Sequence, residues 1–486
     1  MAHTGRVTKM HHTFETEFVD YQITRRAHWD AVARKKPRSW GGYYRDRLKA
    51  IFGLLIPQGA SVLEIGCARG DLLASLNPGL GVGVDLSPEM VQIARATHPG
   101  LQFVVGDAHE LNLGNQQFDF IVMSDVINDV WDLQKVLHQL DPYCTPATRV
   151  VFNFYSHLWQ TPLAIAQFMG LATSNLPQNW FTRHDLKNLL ELSGFDVIRK
   201  WEDVIAPLPF PALSKIANRY LSKVAPFRWF AMTNLLVARP AATVAVSLPT
   251  VSVVVAARNE EGHIVELMAR IPEMGGGTEI VFVEGNSTDD TWGAIERAIL
   301  ANPHRSCKLI KQPGKGKGDA VRTGFDAATG DILMILDADI TVPPEDLHRF
   351  YDVLASGKGE FANGVRLVYP MQEEAMRFAN LLGNKFFSAA FSWLLGQPIR
   401  DTLCGTKVIW AKDYKRLAAN RVYFGDFDPF GDFDLLFGAA KMNLKIMEVP
   451  IRYRARRYGE TNIQRWSHGW ILLRMVVFAA RRIKFV

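Results

Sequence analysis

Two stretches of the chain alternate short apolar runs with segments of helical length, and this alternation constrains the fold more than any other feature. Apolar runs spaced in this way predict parallel β-strands joined by helices, which is the α/β fold class. The predicted strands of the first stretch lie at 62–65, 81–84, 103–105, 118–123 and 150–154. Those of the second stretch lie at 251–256, 279–283, 308–310 and 332–336.

A short segment between the two stretches is a candidate linker. Residues 239–250 are small, uncharged after the first position and bracketed by prolines, although 244–248 would also fit an edge strand. The two halves share a topology class but no repeated motif. We therefore expect a fusion of two domains, 1–240 and 251–486, joined by the linker 241–250.

Composition narrows the class of protein. Hydrophobic residues make up 48% of the chain and charged residues 21%, which excludes a disordered or coiled-coil protein. The four cysteines are far apart and form no CxxC pair, so we expect a reducing compartment and neither a zinc cluster nor a disulfide framework. No uncharged apolar run reaches about 18 residues, and the first ten residues have no apolar core, so we expect neither a membrane span nor a signal peptide.

The net charge of +6 is concentrated at the C-terminus. Residues 452–486 contain eight Arg and one Lys against a single acid, Glu460. Nucleic acid, an anionic lipid surface or a phosphate-bearing substrate would each suit this basic segment.

A turn with two glycines follows the first predicted strand, at residues 64–70 (EIGCARG). Gly66 and Gly70 allow a ligand to approach the backbone closely. The second and third strands end in Asp85 and Asp107, which suit ribose hydroxyls and an adenine amino group. The GxGxxG motif of dinucleotide sites is not met, because an alanine occupies one glycine position, and the acid before the first glycine suits a cationic ligand.

This stretch resembles the class I S-adenosylmethionine-dependent methyltransferases over about residues 40–240. The resemblance implies a seven-stranded sheet, closed by antiparallel strands at 194–204 and 229–238, with S-adenosylmethionine as the cofactor. It also implies a set of cofactor-binding residues at the strand ends: Glu64, Gly66, Gly70, Asp85, Leu86, Asp107, Ala108 and Ser124.

Methyl transfer needs few catalytic side chains, because the sulfonium of the cofactor is already activated and alignment of the donor with the acceptor accounts for much of the rate. A hydroxyl acceptor would benefit from a base. Asp125, Tyr155 and His157 lie near predicted strand ends, where each also fits a hydrogen-bonded loop residue. Residues 158–190 contain several aromatic side chains and fit either an acceptor lid or plain core packing.

In the second stretch, the continuous apolar run 332–336 predicts a buried parallel strand that ends in Asp337-Ala-Asp339. Two carboxylates placed in this way can hold one Mg²⁺ or Mn²⁺ ion, which would neutralise a leaving diphosphate. Polar residues also follow the two preceding strands, at 257–261 (ARNEE) and 284–289 (EGNSTD). Segment 314–324 (GKGKGDAVRTG) is not a Walker loop, but it offers cations and bare backbone to a diphosphate or a base.

Together these segments resemble the inverting family 2 glycosyltransferases of the GT-A fold, above all the polyprenyl-phosphate sugar synthases, over about residues 250–465. The resemblance implies a single displacement at the anomeric carbon of a nucleotide sugar. It implies Asp337 and Asp339 as metal ligands and an acceptor-side loop at 401–405. The implied nucleotide-sugar residues are Arg258, Glu260, Glu284, Asn286, Lys317, Asp337, Arg456 and Arg457.

The resemblance also implies Asp432 as the base for a hydroxyl acceptor, whereas a lipid phosphate is already an anion and needs no base. A carboxylate at the N-terminus of a following helix is the alternative interpretation of Asp432.

The sequence therefore predicts a bifunctional enzyme of envelope polysaccharide or glycolipid synthesis, which glycosylates a lipid phosphate or glycan and O-methylates a sugar or glycolipid. Residues 375–395 and 470–486 suit a bilayer interface as well as packed helices, so we expect a cytoplasmic protein, with the cytoplasmic face of the inner membrane as an alternative. Two other interpretations stay open: a non-catalytic, cofactor-sensing or scaffolding first half, and an RNA methyltransferase. The basic segment lies on the other half, so we expect no nucleic-acid partner, and the oligomeric state is not specified.

Overall fold

The chain forms two compact units in a computed structural model: Met1–Ala241 with Phe485–Val486, and Ala242–Lys484. The structure describes residues 2–35, 42–170, 172–173, 175–208, 210, 212–241, 247–366, 378–420, 433–453 and 473–485. The candidate edge strand at 244–248 falls largely outside the described residues.

The first unit is built on a seven-stranded sheet. Its strands are β1 (Ser61–Ile65), β2 (Leu80–Asp85), β3 (Gln102–Val105), β4 (Phe118–Ser124), β5 (Cys144–Tyr155), β6 (Phe195–Asp203) and β7 (Thr233–Pro240). The strand order is β3-β2-β1-β4-β5-β7-β6, with β7 antiparallel to both of its neighbours and the other pairs parallel. All five strands predicted from the first apolar pattern are present, and the two closing strands are confirmed as an antiparallel pair.

Helices cover both faces of this sheet, because its strands are apolar on both sides. Val62 packs in one core cluster and its neighbour Leu63 in the other, as alternate residues of a strand must. Helix α2 buries Leu48, Ile51, Phe52 and Leu55, which recur at helical spacing. The helices of the first unit are α1 (Ala2–Ala33), α2 (Gly42–Leu55), α3 (Asp71–Ser75), α4 (Pro88–Thr97), α5 (Leu133–His138), α6 (Gln160–Phe168), α7 (Arg183–Leu192) and α8 (Leu213–Arg219).

The second unit is also built on a seven-stranded sheet. Its strands are β8 (Val251–Ala257), β9 (Thr278–Glu284), β10 (Ser306–Lys311), β11 (Ile332–Asp337), β12 (Phe361–Val365), β13 (Lys407–Trp410) and β14 (Ile446–Pro450). The order is β10-β9-β8-β11-β13-β12-β14, and β13 runs antiparallel to both β11 and β12. Strands β8, β9 and β11 are parallel neighbours, so their carboxyl ends meet at one edge.

The helices of the second unit are α9 (Ile264–Arg270), α10 (Thr291–Ala301), α11 (Lys317–Ala327), α12 (Leu347–Ala355), α13 (Phe378–Leu395), α14 (Ala411–Ala419) and α15 (Phe433–Lys441). Residues 473–479 are also helical and continue into a π-helical turn at Ala480–Lys484. Among the described residues, no helix combines the length and the apolar character needed to cross a bilayer. The predicted fold class, two Rossmann-like α/β domains in sequence, is confirmed.

Candidate active sites

The turn after β1 depends on its two glycines. Gly66 and Gly70 have φ angles of 73° and 77°, in the left-handed region that other residues rarely adopt. A Cβ atom at Gly66 would lie 2.7 Å from a methyl group of Val126, and one at Gly70 would lie 2.5 Å from the Phe103 ring. The turn is therefore packed so closely that neither position accepts a side chain.

Asp85, at the end of β2, organises this turn. Its Oδ2 accepts the backbone N–H of Ala68 at 2.8 Å, and its Oδ1 accepts that of Ser87 at 2.9 Å. Burial raises the pKa of Asp85, against the effect of these two hydrogen bonds. Each carboxylate oxygen keeps capacity for a second donor, which is what a ribose hydroxyl would require.

Glu64 lies within β1 rather than at its open end. The side chain is buried, and its Oε2 accepts the backbone N–H of Leu73 in α3 at 3.0 Å. Burial raises the pKa of Glu64 to about 8, so the carboxyl is mostly protonated at neutral pH. The contact that the structure gives to Glu64 is therefore with the helix after the turn.

Asp107, after β3, is bonded to two different elements. Its Oδ1 accepts the backbone N–H of His109 at 2.8 Å, and its Oδ2 accepts Nε2 of Gln22, from α1, at 2.6 Å. Burial acts to raise the pKa of Asp107, but hydrogen bonds from His109 outweigh it and lower the pKa to about 2. The adjacent Ala108 is half-buried against the core cluster of β1 and β4.

Helix α1 reaches across the edge where these strand ends lie. Arg26 donates from Nε to the carbonyl oxygen of Leu86 at 3.3 Å, next to Asp85. Three further side chains of α1, those of Tyr21, Arg25 and Trp29, bond to Asp129, and Asp30 bonds to Ser87. Sequence reasoning missed this helix, although Phe18, Tyr21, Arg25 and Trp29 recur at helical spacing and could have revealed it.

A carboxylate beyond the end of β4 has an unusual environment. Asp125 has a φ of 55°, and its Oδ1 accepts both the Tyr44 hydroxyl at 3.0 Å and Nδ2 of Asn153 at 2.5 Å. Within the described part of the chain, its Oδ2 has no hydrogen-bond partner, and Oδ1 of the buried Asn153 has none either. Burial raises the pKa of Asp125 to about 7. Such a group can exchange a proton near neutral pH.

The neighbouring predicted residues are brought to the same edge. Ser124 pairs with Asn153 in the β4–β5 register, and Tyr155 ends β5 with its ring centroid 6.3 Å from that of Tyr44. Helix α6, within the candidate lid 158–190, has no buried side chain, and Phe168 is 94% exposed. Plain core packing is therefore excluded for α6.

In the second unit, the loops after β8 and β9 are tied together. Asn259 accepts the backbone N–H of Thr288 on its Oδ1 at 2.8 Å and donates its own N–H to Ser287 Oγ at 3.0 Å. Glu284 is buried and accepts the Ser287 N–H, while Asn286 is exposed with a φ of 56°.

The two remaining predicted residues of these loops differ in exposure. Arg258 is exposed at the end of β8. Glu260 is buried, with its Oε2 2.8 Å from Nδ1 of His263 and its backbone N–H bonded to Thr291. Glu260 therefore holds the loop, whereas Arg258 stays accessible to a ligand.

Asp337, the last residue of β11, forms an ion pair. Nζ of Lys317, the first residue of α11, lies 2.6 Å from Oδ1 of Asp337. Burial acts to raise the pKa of Asp337, but the charges of Lys317, Lys407 and Arg366 outweigh it and hold the pKa below its ordinary value. Asp339 accepts the N–H and the hydroxyl of Thr341 on Oδ1, at 3.2 and 2.7 Å.

Gly405 allows this carboxylate and Lys317 to pack directly against the backbone. A Cβ at Gly405 would lie 2.1 Å from Oδ2 of Asp337 and 2.4 Å from Nζ of Lys317. Oxygen ligands two residues apart, one facing a position without a side chain, fit a Mg²⁺ or Mn²⁺ ion that takes further oxygens from a diphosphate. Across the described residues, no group of three or more His, Cys, Asp or Glu is arranged for a metal, so such an ion would need those further oxygens.

The predicted acceptor-side loop 401–405 is held by a buried ion pair. Arg366 donates from Nε and Nη2 to the two oxygens of Asp401 at 2.7 and 2.9 Å, and Asn384 of α13 adds a bond of 3.0 Å. Burial acts to raise the pKa of Asp401, but Arg366 lowers it to about 2. This pair positions the loop that carries Gly405. Asp432, Arg456 and Arg457 lie outside the described residues.

Comparison with known families assigns both units. Residues 252–417 match the family model for glycosyl transferase family 2, and residues 36–200 match a methyltransferase domain. The chain therefore carries a methyltransferase domain followed by a family 2 glycosyltransferase domain. Both domains are of enzyme families that transfer a group.

Two archaeal relatives are similar to the glycosyltransferase domain. A dolichyl-phosphate hexose transferase of Haloferax volcanii is 29% identical over 227 residues, which is 46% of this chain and 92% of that protein. A dolichol-phosphate mannosyltransferase of Pyrococcus furiosus is 28% identical over 221 residues, or 44% of this chain and 59% of that protein.

The solved structures that are similar to each domain have lower sequence identity to this chain. Glucosyl-3-phosphoglycerate synthase of Mycobacterium tuberculosis is 20% identical with a TM-score of 0.35, over 48% of this chain and 80% of that one. An S-adenosylmethionine-dependent methyltransferase of Mesorhizobium loti is 20% identical with a TM-score of 0.32, over 39% of this chain and 95% of that one.

Proposed function

We propose that the glycosyltransferase domain transfers a sugar from a nucleotide sugar to a lipid phosphate or glycan with inversion, and that the methyltransferase domain O-methylates a sugar or glycolipid. The observation that carries the first proposal is the Asp337–Asp339 turn, with Lys317 and Gly405 beside it, at the carboxyl edge of β8, β9 and β11. A polyprenyl phosphate as acceptor is supported by the two archaeal relatives, a dolichyl-phosphate hexose transferase and a dolichol-phosphate mannosyltransferase.

The donor would bind at this edge of the second sheet. Asp337 and Asp339 would hold a Mg²⁺ or Mn²⁺ ion, which supplies positive charge to the diphosphate as it leaves. The exposed Arg258 and Asn286 lie on the two loops that are tied together beside this turn, where a nucleoside would rest.

Lys317 supplies a positively charged side chain at the proposed donor site. Its ammonium holds Asp337 in the ionised form now, and it would turn toward the diphosphate once a metal ion takes over that carboxylate. Arg456 and Arg457 would add charge to the leaving group, and Asp432 would deprotonate a hydroxyl acceptor.

In the methyltransferase domain, S-adenosylmethionine would lie along the ends of β1 to β4. The turn at Gly66 and Gly70 would contact its methionine portion, Asp85 would accept the ribose hydroxyls, and Asp107–Ala108 would face the adenine. The residues fit this cofactor, because each carboxylate oxygen of Asp85 accepts one backbone N–H and retains capacity for a second donor.

Asp125 would take the proton of the acceptor hydroxyl. Its Oδ1 is held by Tyr44 and Asn153, while its Oδ2 has no partner among the described residues and stays available to a hydroxyl. A carboxylate with a pKa near 7 retains useful basicity at physiological pH, which a surface aspartate lacks.

A thermal-shift screen of the whole chain tests both halves. We expect a rise in the melting midpoint with S-adenosylmethionine alone, and a separate rise with one nucleotide sugar in the presence of Mn²⁺. The second rise should vanish in Asp339→Ala and persist in Asp352→Ala, a substitution at an exposed carboxylate on α12 of the same domain. A nucleotide-sugar shift that survives in Asp339→Ala would contradict the donor site.

An assay for S-adenosylhomocysteine on the same purified protein distinguishes a catalytic domain from a cofactor-sensing one. Formation of S-adenosylhomocysteine with a membrane lipid extract would support methyl transfer, whereas a cofactor shift without turnover would favour a sensing or scaffolding domain. We propose that the protein works in the cytoplasm, at the inner membrane face, because both relatives are dolichyl- or dolichol-phosphate sugar transferases by name and a polyprenyl phosphate would reside in a membrane.

A further inference from the structure

An unusual number of large apolar side chains is exposed around one part of the first unit. They come from two segments, residues 158–169 and 210–230, and each is at least 37% exposed. We name this set the apolar rim: Leu158, Ile165, Phe168, Met169, Phe210, Leu213, Ile216, Tyr220, Leu221, Val224, Phe227, Trp229 and Phe230. Contiguous exposed apolar surface of this kind marks an interaction site more often than ordinary solvent-facing surface does.

The two segments of the rim lie side by side. Tyr155, the last residue of β5, pairs with Thr233, the first residue of β7, so the two segments leave the sheet at the same edge. The Ser156 N–H donates to the Met232 carbonyl oxygen at 2.7 Å, and the Trp159 indole donates to the Phe230 carbonyl oxygen at 2.9 Å. The two segments of the rim therefore meet at this edge of the sheet.

This surface borders the candidate base. Asn153, two residues before the end of β5, donates to Asp125 at 2.5 Å. Strand β5 runs parallel to β4, so its carboxyl end and that of β4 share the edge where Asp125 lies. A methyl acceptor that reaches Asp125 through this edge would pass the rim.

The formally charged residues within the two rim segments all have the same sign. Residues 155–182 contain no Asp, Glu, Lys or Arg, and residues 204–232 contain four basic residues and no acid. One of the four, Lys223, is neutralised in a buried pair with Asp203. Lys215 is exposed, and Arg219 and Arg228 are half-buried.

This composition matches a bilayer interface better than a protein partner. Exposed Trp and Phe side chains prefer the level of the lipid headgroups, and nearby basic side chains are attracted to anionic lipids. Helix α6 has no buried side chain at all, as expected of a helix whose apolar residues serve an external surface.

We propose that the apolar rim docks the methyltransferase domain onto an anionic lipid bilayer, so that the methyl acceptor is a lipid-linked glycan presented at that surface. The identity of the acceptor rests on the proposed methyl transfer, whereas the docking does not. The rim also meets the end of the chain, where the Tyr220 ring lies 5.2 Å from the Phe485 ring and Arg219 donates to the Phe485 carbonyl oxygen at 2.9 Å.

Sedimentation with vesicles tests the docking on the full chain. Vesicles of equal parts phosphatidylglycerol and phosphatidylcholine are compared with pure phosphatidylcholine. The rim variant is Phe168→Ser/Trp229→Ser/Phe230→Ser. The control variant, Leu192→Ser/Val265→Ser/Leu300→Ser, replaces apolar residues that are 69%, 73% and 79% exposed elsewhere.

We expect the wild type to bind the anionic vesicles at least tenfold more tightly than the neutral ones. The rim variant should lose at least tenfold in affinity for anionic vesicles, and the control variant should stay within twofold of the wild type. Circular dichroism and melting midpoints establish that both variants fold.

Three results would overturn the docking: a wild type that binds no vesicles, equal binding to neutral vesicles, or a rim variant that binds like the wild type. The last result would move the contact to the basic C-terminus or to a protein partner. Vesicle binding without an S-adenosylmethionine shift would defeat the proposed methyl transfer and leave the docking intact.

Discussion

Replacing Asp125 with asparagine should make the first unit more stable at alkaline pH while it removes the candidate base. The carboxyl binds its proton more tightly in the folded chain, where its pKa is about 7, than in the unfolded chain. Its contribution to stability is therefore complete below the unfolded pKa, and it is lost as the pH rises through 7. Asparagine keeps an oxygen acceptor for Tyr44 and Asn153 and has no proton to lose.

The magnitude follows from the size of the pKa shift. A rise of about three pH units corresponds to about 4 kcal/mol of unfavourable ionisation at pH 8. Asp125 is only half-buried, so solvent reduces this to roughly 2 kcal/mol. For a domain of this size we expect the melting midpoint of Asp125→Asn to exceed that of the wild type by about 4–8 °C at pH 8, and by less than half as much at pH 5, where only part of the stabilisation has been lost.

Scanning calorimetry at the two pH values measures this difference, with Asp141→Asn as the control. Asp141 is exposed, so its replacement controls for the loss of a surface carboxylate in the same unit. A midpoint difference of the same size at pH 5 and pH 8 would refute the argument that burial keeps Asp125 protonated. In parallel, methyl transfer by the wild type should fall about tenfold per unit below pH 7, and the variant should lose about 10²–10⁴ in rate.

Three further outcomes are expected at the two candidate sites. Asp85→Asn should weaken S-adenosylmethionine binding at least tenfold by titration calorimetry, because asparagine offers one acceptor oxygen where the turn and a ribose need two; a change below threefold would speak against this role. Lys317→Met should raise Mn²⁺ affinity about five- to tenfold, since it removes a competing charge 2.6 Å from Asp337, and an unchanged affinity would rule out a metal at this carboxylate. Gly405→Ala should abolish the Mn²⁺-dependent nucleotide shift, whereas Gly383→Ala, whose Cβ would meet nothing within 4 Å, should retain it; equal shifts in both would disprove the need for open space at Gly405.

The central parallel strands could be predicted from the sequence because burial on both faces makes them largely apolar. The run 332–336 is a clear case, and its end also placed Asp337 and Asp339 at the sheet edge. Strands β12 and β13 carry no such signal. Asn363 and Lys407 are fully buried within them, where carbonyl oxygens of Asp401 and Cys404 accept hydrogen bonds from their side-chain nitrogens. Local hydropathy cannot reveal partners of this kind.

The choice among candidate bases also depended on distant residues. Asp125, Tyr155 and His157 were equivalent in the sequence, and what separates Asp125 is its contact with Tyr44 and Asn153, 81 and 28 positions away. The hydrogen bond that Gln22 of α1 donates to Asp107, 85 positions away, likewise cannot be predicted from the spacing of residues in the sequence. Strand-end acids are local features, whereas the groups that tune them are brought together only by folding.

Helix α1 has a consequence for the timing of turnover. Its side chains bond to Leu86, Ser87, Asp107 and Asp129, which belong to three different loops of the same edge. If S-adenosylmethionine lies along that edge, spent cofactor leaves only after several of these bonds have opened together. Release of S-adenosylhomocysteine, rather than the methyl transfer itself, would then be the rate-limiting step of the catalytic cycle.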